Sequence, residues 1–220
     1  MSVISLDMER KTYRKRSAVV TILEEFTLEV CQGERVAIVG ESGVGKSSLL
    51  NILGLIDRRF SGTYLLFGRD VADLSDRGAA SLRNDRIGFV LQESALINTL
   101  TIADNIRLPL LYARQQQAGG GGNFDRLVDS LGIAPILKKT PVECSGGEKA
   151  RAVFARGVIM NPHIVLADEP TASLDAENKA KVLDLLLGLN REHGTTVITV
   201  THDMDVANQH DRVVALKKRM

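Results

Sequence analysis

Three features predict an α/β fold with a mainly parallel sheet, an antiparallel β flank and an inserted helical lobe. Apolar runs that hardly alternate, "IGFVLQ", "HIVLADE", "TTVITVTH" and "RVVALK", are separated by helical patterns. Strands of that kind are buried on both faces, and strands alternating with helices build βαβ units whose strands run parallel. The early segments "SVISLDM" and "VVTILEEFTLEV" have alternating character, which suits half-buried strands of an antiparallel flank. From Glu93 to about Val158 the pattern changes to helices with loops, which gives the lobe.

In chain order, "GERVAIVG" is an apolar strand ending in glycine, followed by the helical run "SLLNILGLI" and a short strand "GTYLLFG" at 62–68. The lobe holds "TIADNIRLPLLYARQQQ", the glycine run "AGGGG" at 118–122, expected as a flexible and poorly ordered joint, and "NFDRLVDSLG". Residues 1–220 are expected as one unit, with about 1–92 and 159–220 forming the sheet core and its flank and about 93–158 the lobe. No internal repeat interrupts this plan.

Composition narrows the function classes. A chain of 220 residues with 44% hydrophobic residues can bury a proper core. Its formal charge of +1 gives no global attraction to nucleic acid, which is not an expected partner, or to a membrane surface. Two cysteines, Cys31 and Cys144, are too few for a disulfide framework or a zinc cluster and suit a reducing interior. The start lacks the apolar core of a signal peptide and no run reaches the length of a membrane span, so a soluble intracellular chain is expected. The basic runs "RKTYRKR" and "KKRM" read as solvated flanks, and His163, His193 and His210 lack ligand spacing.

The chemistry begins at "GESGVGKSS", Gly40 to Ser48, which matches G-x-x-x-x-G-K-S between a strand and a helix. In such a phosphate-binding loop, Gly40 to Ser48 with Ser42 among the ATP-binding positions, Gly43 and Gly45 let the backbone turn its N–H groups onto nucleotide oxygens, with a helix N-terminus at Lys46, Ser47 and Ser48 behind them. Lys46 is expected on the β and γ phosphates of ATP and the Ser47 hydroxyl on Mg²⁺. "HIVLADEP" then delivers Asp168 and Glu169 at a strand end, where open α/β sheets place their ligands. Asp168 suits the Mg²⁺ shell and Glu169 suits a general base for water. Gln92 and His202 also follow buried strands and would emerge on the same edge, Gln92 as a further Mg²⁺ ligand and His202 as a donor to the γ-phosphate or a holder of the water. No guanine-reading Asn-Lys-x-Asp motif appears, which disfavours a GTPase.

The ordered set "GESGVGKSS", Gln92, "CSGGEKAR", "LADEP", "ASLD" and "THD" resembles the nucleotide-binding subunit of an ABC transporter, from Val3 to about Leu216. The resemblance implies a P-loop NTPase core of the ABC ATPase type that binds ATP and Mg²⁺ and hydrolyses ATP. It implies a signature motif at Ser145, Gly146, Gly147 and Glu148, a D-loop at Ser173, Leu174 and Asp175, a switch histidine at His202, and adenine stacking on Tyr13. Cys144 stands where the family usually has Leu, which fits a small hydrophobe and leaves open a redox-sensitive thiol.

The signature has no phosphate-loop lysine, because Lys46 and Ser47 already hold one side of the phosphate tail. Two chains packed head to tail would offer each ATP a second cradle from the partner's Ser145, Gly146 and Gly147. Ser145 with Glu148 also reads as a capping box for a helix over 148–160, and both readings hold together. Transmembrane permease subunits are implied as partners, docking a helix on the segment after Gln92, with the cassette dimer peripheral on the cytoplasmic face of the cytoplasmic membrane and touching lipid only indirectly. The pattern is similar to stand-alone ATPases of macrolide, lipoprotein, haem and bacteriocin exporters, which implies export. A regulatory ATPase signalling to a cell-wall or division partner remains an alternative. A DNA-repair or translation ATPase would carry a coiled-coil insertion, zinc cysteines or two fused units, and none is present.

Overall fold

The computed structural model describes residues 1–15, 18–91, 96–113, 120–172 and 174–217. Along the chain run β1 (Ser2–Lys15), β2 (Ala18–Cys31), β3 (Arg35–Val39), α1 (Lys46–Leu53), β4 (Ser61–Leu66), β5 (Arg69–Asp70), α2 (Asp76–Arg86) and β6 (Ile87–Leu91). They are followed by α3 (Ile102–Arg107), α4 (Gly120–Ser130), α5 (Gly146–Val158), β7 (Ile164–Asp168), α6 (Ala176–His193), β8 (Thr196–Thr201), α7 (Met204–Ala207) and β9 (Arg212–Ala215).

The strands form two sheets, as the sequence predicts. One is antiparallel, in the order β2-β1-β4-β5, and the other is parallel, in the order β6-β7-β8-β3-β9. In β7, Ile164 and Leu166 enter an apolar cluster with α1 and the antiparallel sheet, while Val165 and Ala167 enter another with α3, α4, α5 and α6. Both faces of the strand are therefore covered, which is why its sequence does not alternate. Each large aliphatic side chain so buried contributes about 1.5–3 kcal/mol.

β1 continues to Lys15, well beyond the apolar "SVISLDM". Its charged half pairs with β2, where Arg10 faces Glu24 across the ladder with a 3.7 Å ion pair. Cross-strand charge pairs support a solvated strand that hydropathy alone would end.

Two lobe expectations change. Within "TIADNIRLPLLYARQQQ", expected to lie among helices with loops, α3 ends at Arg107 and a 3₁₀ turn spans Leu108–Tyr112, because Pro109 cannot donate to an α-helical ladder. The glycine run is not wholly a flexible joint, since Gly120–Gly122 make the first turn of α4. That helix is anchored just downstream: Phe124 and Val128 are buried, the Arg107 guanidinium lies 3.9 Å from the Phe124 ring centre, and Asn123 donates to the Ile159 carbonyl at 2.6 Å. The helix expected over 148–160 is α5, Gly146–Val158, two residues earlier, because Ser145 is its N-cap. Among the described residues no helix is long and apolar enough to cross a membrane.

Parallel pairing aligns the strand ends. Val39 is opposite Thr201, and Asp168 lies between Leu91 and Val200. The C-terminal ends of β3, β6, β7 and β8 therefore share one sheet edge, the usual ligand crevice of an open α/β fold.

Candidate functional site

The loop between β3 and α1 is shaped as an anion cradle. Gly45, the N-cap of α1, has φ +105, and a Cβ on it would come within 2.8 Å of Leu23 Cδ2. A side chain there would be both strained and obstructed. Helix α1 has no side-chain cap and no acidic residue in its first turn, which leaves its N-terminal N–H groups and positive dipole end for a ligand. Lys46 Nζ folds back over the loop and donates to the carbonyls of Gly40 at 2.7 Å and Glu41 at 3.0 Å.

Opposite the loop stand the ends of β7 and β8. Glu169 adopts φ +45, a costly conformation for a residue with a Cβ, which aims its carboxylate into the cleft. Glu169 Oε1 lies 2.8 Å from His202 Nδ1, and Oε2 accepts from the Thr201 hydroxyl at 3.3 Å. Since a carboxylate only accepts, the proton of that bond sits on Nδ1 when Glu169 is ionised. Burial pushes the Asp168 carboxyl up, the Glu169 charge adds to the rise, and a Ser47 hydrogen bond and the Lys46 ammonium oppose it. The result is a cleft of about 660 Å³ bounded by Ser42, Gly43, Gly45, Lys46, Ser47 and Ser48, by Asp168, Glu169 and His202, and by Ile22 of β2.

Other expected site residues lie elsewhere. Gly40 is not among the residues that bound the cleft; it sits under the loop, where a Cβ would meet the Leu216 carbonyl at 2.6 Å. Tyr13 does not line the cleft; its hydroxyl donates to Asp57 at 3.0 Å. The signature residues do not line it either. Ser145 Oγ accepts from Glu148 N at 3.3 Å and Glu148 Oε2 from Ser145 N at 2.7 Å, so the capping box is formed. Leu174 packs beside the lobe cluster and Asp175 caps α6, accepting from Asn178 N at 2.8 Å. Gln92 and Ser173 lie outside the described residues. Cys144 is 8% exposed, its thiol is pushed up first by burial and then by the Glu148 charge, and Sγ lies 3.4 Å from the Thr140 carbonyl. It packs as a small hydrophobe.

Residues 23–172 match the family model described as ABC transporter. The chain belongs to the ABC transporter family. The cassette is 38% identical over 215 residues to the uncharacterized ABC transporter ATP-binding protein YknY of Bacillus subtilis (strain 168), covering 98% of this chain and 93% of that protein. It is 40% identical over 214 residues to the lipoprotein-releasing system ATP-binding protein LolD 1 of Rhodopseudomonas palustris, covering 96% and 95%. It is also 40% identical over 225 residues to the macrolide export ATP-binding/permease protein MacB of Syntrophobacter fumaroxidans, covering 99% of this chain but 31% of that longer protein. Among solved structures, the dimeric ATP-binding cassette MJ0796, in a post-hydrolysis state bound to ADP and Pi, superposes with a TM-score of 0.90 at 36% identity, covering 98% and 94%. The protein is thus an ATP-binding and ATP-hydrolysing cassette of the ABC transporter family.

Several supporting residues of the cleft carry little signal in the sequence. Ile22 reaches the cleft because the β1–β2 register shifts between Lys11 and Thr12, leaving Ile22 as the extra residue of a bulge, and strand periodicity carries no sign of that. Thr201 is hidden inside a buried strand pattern, though it directly precedes His202. The Lys179–Asp203 ion pair joins α6 to α7 next to His202, and its partners are 24 positions apart. Asn178 abuts Gly147, where a Cβ would meet Asn178 Oδ1 at 2.5 Å, so the start of α6 touches α5.

Proposed function

We propose that the cassette works as a head-to-tail homodimer beneath transmembrane permease subunits and drives export. The observation that carries this reading is the convergence of Lys46, Ser47, Asp168, Glu169 and His202 on one cleft while Ser145, Gly146 and Gly147 of the same chain stay outside it. A motif with a capped helix N-terminus and a glycine at its close-approach position finds its anion on a second copy.

In each cleft the backbone of the phosphate loop binds the triphosphate tail, and Lys46 leaves its resting carbonyls for the β and γ phosphates. Ser47 and Asp168 fit Mg²⁺, since a hydroxyl stands against a carboxylate whose charge is disfavoured by burial, and Gln92 is the further ligand in this scheme. When bound, the ion supplies neutralisation of phosphate charge. Glu169 orients the attacking water and takes its proton, the bond from the γ-phosphorus to the bridging oxygen breaks, and ADP departs. His202 donates to Glu169 from Nδ1, and as the imidazolium it also donates from Nε2 to the γ-phosphate. The partner's Ser145, Gly146, Gly147 and Glu148 close the site, and the D-loop at Ser173, Leu174 and Asp175 lies along the same interface. Once the γ-phosphate leaves, the second cradle loses its ligand and the dimer opens. Converting a mostly open population to a mostly closed one takes about 5.5 kcal/mol of differential binding.

The lobe at about 93–158 presents the signature and, with α2 and β6, a second cleft of about 660 Å³ lined by Arg77, Asn84, Phe89, Pro109, Tyr112 and Met160. Leu111 and Tyr112 are each 75% exposed beside it, which suits docking of a permease helix. A cassette held this way sits on the cytoplasmic face of the cytoplasmic membrane without entering lipid.

Glu169→Gln is expected to lower kcat about 10²–10⁴-fold and to accumulate an ATP-bound dimer on size-exclusion chromatography. Ser145→Arg in that background should abolish the dimer, and ATP-dependent association that survives it would rule out the double-cradle arrangement. Reconstitution with the co-purified permease should give transport-coupled hydrolysis; stimulation without transport would assign a signalling role instead.

A further inference from the structure

Beside the cleft a buried ion pair is built against Tyr13, and none of the steps above uses it. Lys11 and Tyr13 are two residues apart on β1, so strand alternation sends both side chains to the same face of the β1–β2 ribbon. Lys11 is 1% exposed. Its Nζ donates to Asp57 Oδ2 at 2.6 Å and to the Arg59 carbonyl at 2.5 Å, and it stands 4.5 Å from the centre of the Tyr13 ring. The Tyr13 hydroxyl donates to the same Asp57 oxygen at 3.0 Å. Asp57 Oδ1 in turn accepts from Arg59 N at 3.0 Å. The carboxylate is thereby fixed by a lysine, a tyrosine and a backbone N–H.

Asp57 is tied to the phosphate-loop helix, because its own N–H donates to the Asn51 carbonyl of α1 at 3.0 Å. On the ribbon side, Ile22 and Leu23 rest against Gly45, and Tyr13 pairs with Val20 just beyond the bulge. The ring is thus referenced to the phosphate loop from both its hydroxyl and its strand, with 36% of the residue still open to solvent. Burying a lysine is costly, and an apolar pair of similar size would hold a strand to a loop at least as well. A cation behind an aromatic ring does something an apolar pair cannot: it withdraws π density and strengthens stacking of an electron-rich ring on the other face.

We propose that Lys11 and Asp57 are positioning residues for the nucleobase, holding the Tyr13 ring at a fixed distance from the phosphate loop and biasing its open face towards purines over pyrimidines. The inference rests on the reading of Tyr13 as the base platform. The test measures KM and kcat for ATP and UTP in the full cassette. The double variant Lys11→Met/Asp57→Asn removes both charges without stranding either, and Tyr13→Ala and Tyr13→Phe accompany it. The double variant should raise the ATP KM roughly 2- to 30-fold, leave kcat at saturating ATP in place and narrow the ATP-over-UTP preference. Tyr13→Ala should raise the ATP KM roughly 5- to 100-fold. An unchanged KM in Tyr13→Ala overturns the platform reading and the proposal with it. A raised KM in Tyr13→Ala beside wild-type KM and purine preference in the double variant overturns the positioning role alone. Should the double variant not fold, Tyr13→Phe decides, since it keeps the ring and loses the bond to Asp57; it should raise the ATP KM, and a wild-type value overturns the positioning role.

Discussion

Glu169 shows how much of this cleft depends on single residues held against their own preferences. Its φ of +45 carries a cost of about 1–3 kcal/mol, and the bonds from His202 and Thr201 to its two oxygens keep the carboxylate in place. Thr201 also accepts from Asp203 N at 3.0 Å, so one hydroxyl links Glu169 to the turn after β8. Thr201→Val keeps the shape of that buried strand residue and removes the bond. It should lower kcat about 10-fold with little change in the ATP KM, a loss of about 1.4 kcal/mol expressed in the transition state. An equal rise in KM would show that Thr201 acts on binding instead. Thr201 is legible in sequence only as one more residue of "TTVITVTH", because alternation is absent where both faces are buried, whereas Glu169 and His202 stand out at the strand ends.

At the scale of elements, the start of α6 touches two functional segments at once. Its N-cap Asp175 is the last residue of the segment expected as the D-loop, Asn178 abuts Gly147 of α5, and Lys179 pairs with Asp203 at the N-cap of α7, directly after His202. Gly147→Ala places a methyl against Asn178, so it should lower the ATP-dependent dimer yield of Glu169→Gln, and adding Asn178→Gly should restore part of it. Size-exclusion chromatography of the three variants reads the difference; no recovery would place the cost of the methyl elsewhere than on α6. The capping box of α5 and the phosphate loop are visible in sequence because their residues lie within a few positions of one another. The contact of α6 with α5 is not visible, since it joins residues separated by a whole strand, and Pro109 and the glycine run show local preference being overridden or enforced by neighbours.

For the whole molecule, ion pairs between distant segments set the response to acid. The Lys179 hydrogen bond holds the Asp203 carboxyl below its ordinary 3.8, and the Arg35 hydrogen bond does the same for Asp211. A lowered folded-state pKa means that the unfolded chain binds protons first, so this stability is present above about pH 4 and is lost as pH falls through the folded values. Thermal melts should therefore drop below about pH 4, and Lys179→Met should flatten that dependence; an unchanged acid slope would discount the pair. Asp168 has the opposite sign, since its raised pKa costs stability at neutral pH. The sequence by itself determined the α/β class, the family resemblance and the residues that meet at the strand ends, because each rests on local patterns of a few consecutive positions and on parallel strands sharing an edge. Only the tertiary structure decided the bulge that brings Ile22 into the cleft, the burial of Lys11 behind Tyr13 and the contact of Asn178 with Gly147. Those depend on register and packing between segments far apart in the chain, which no local periodicity encodes.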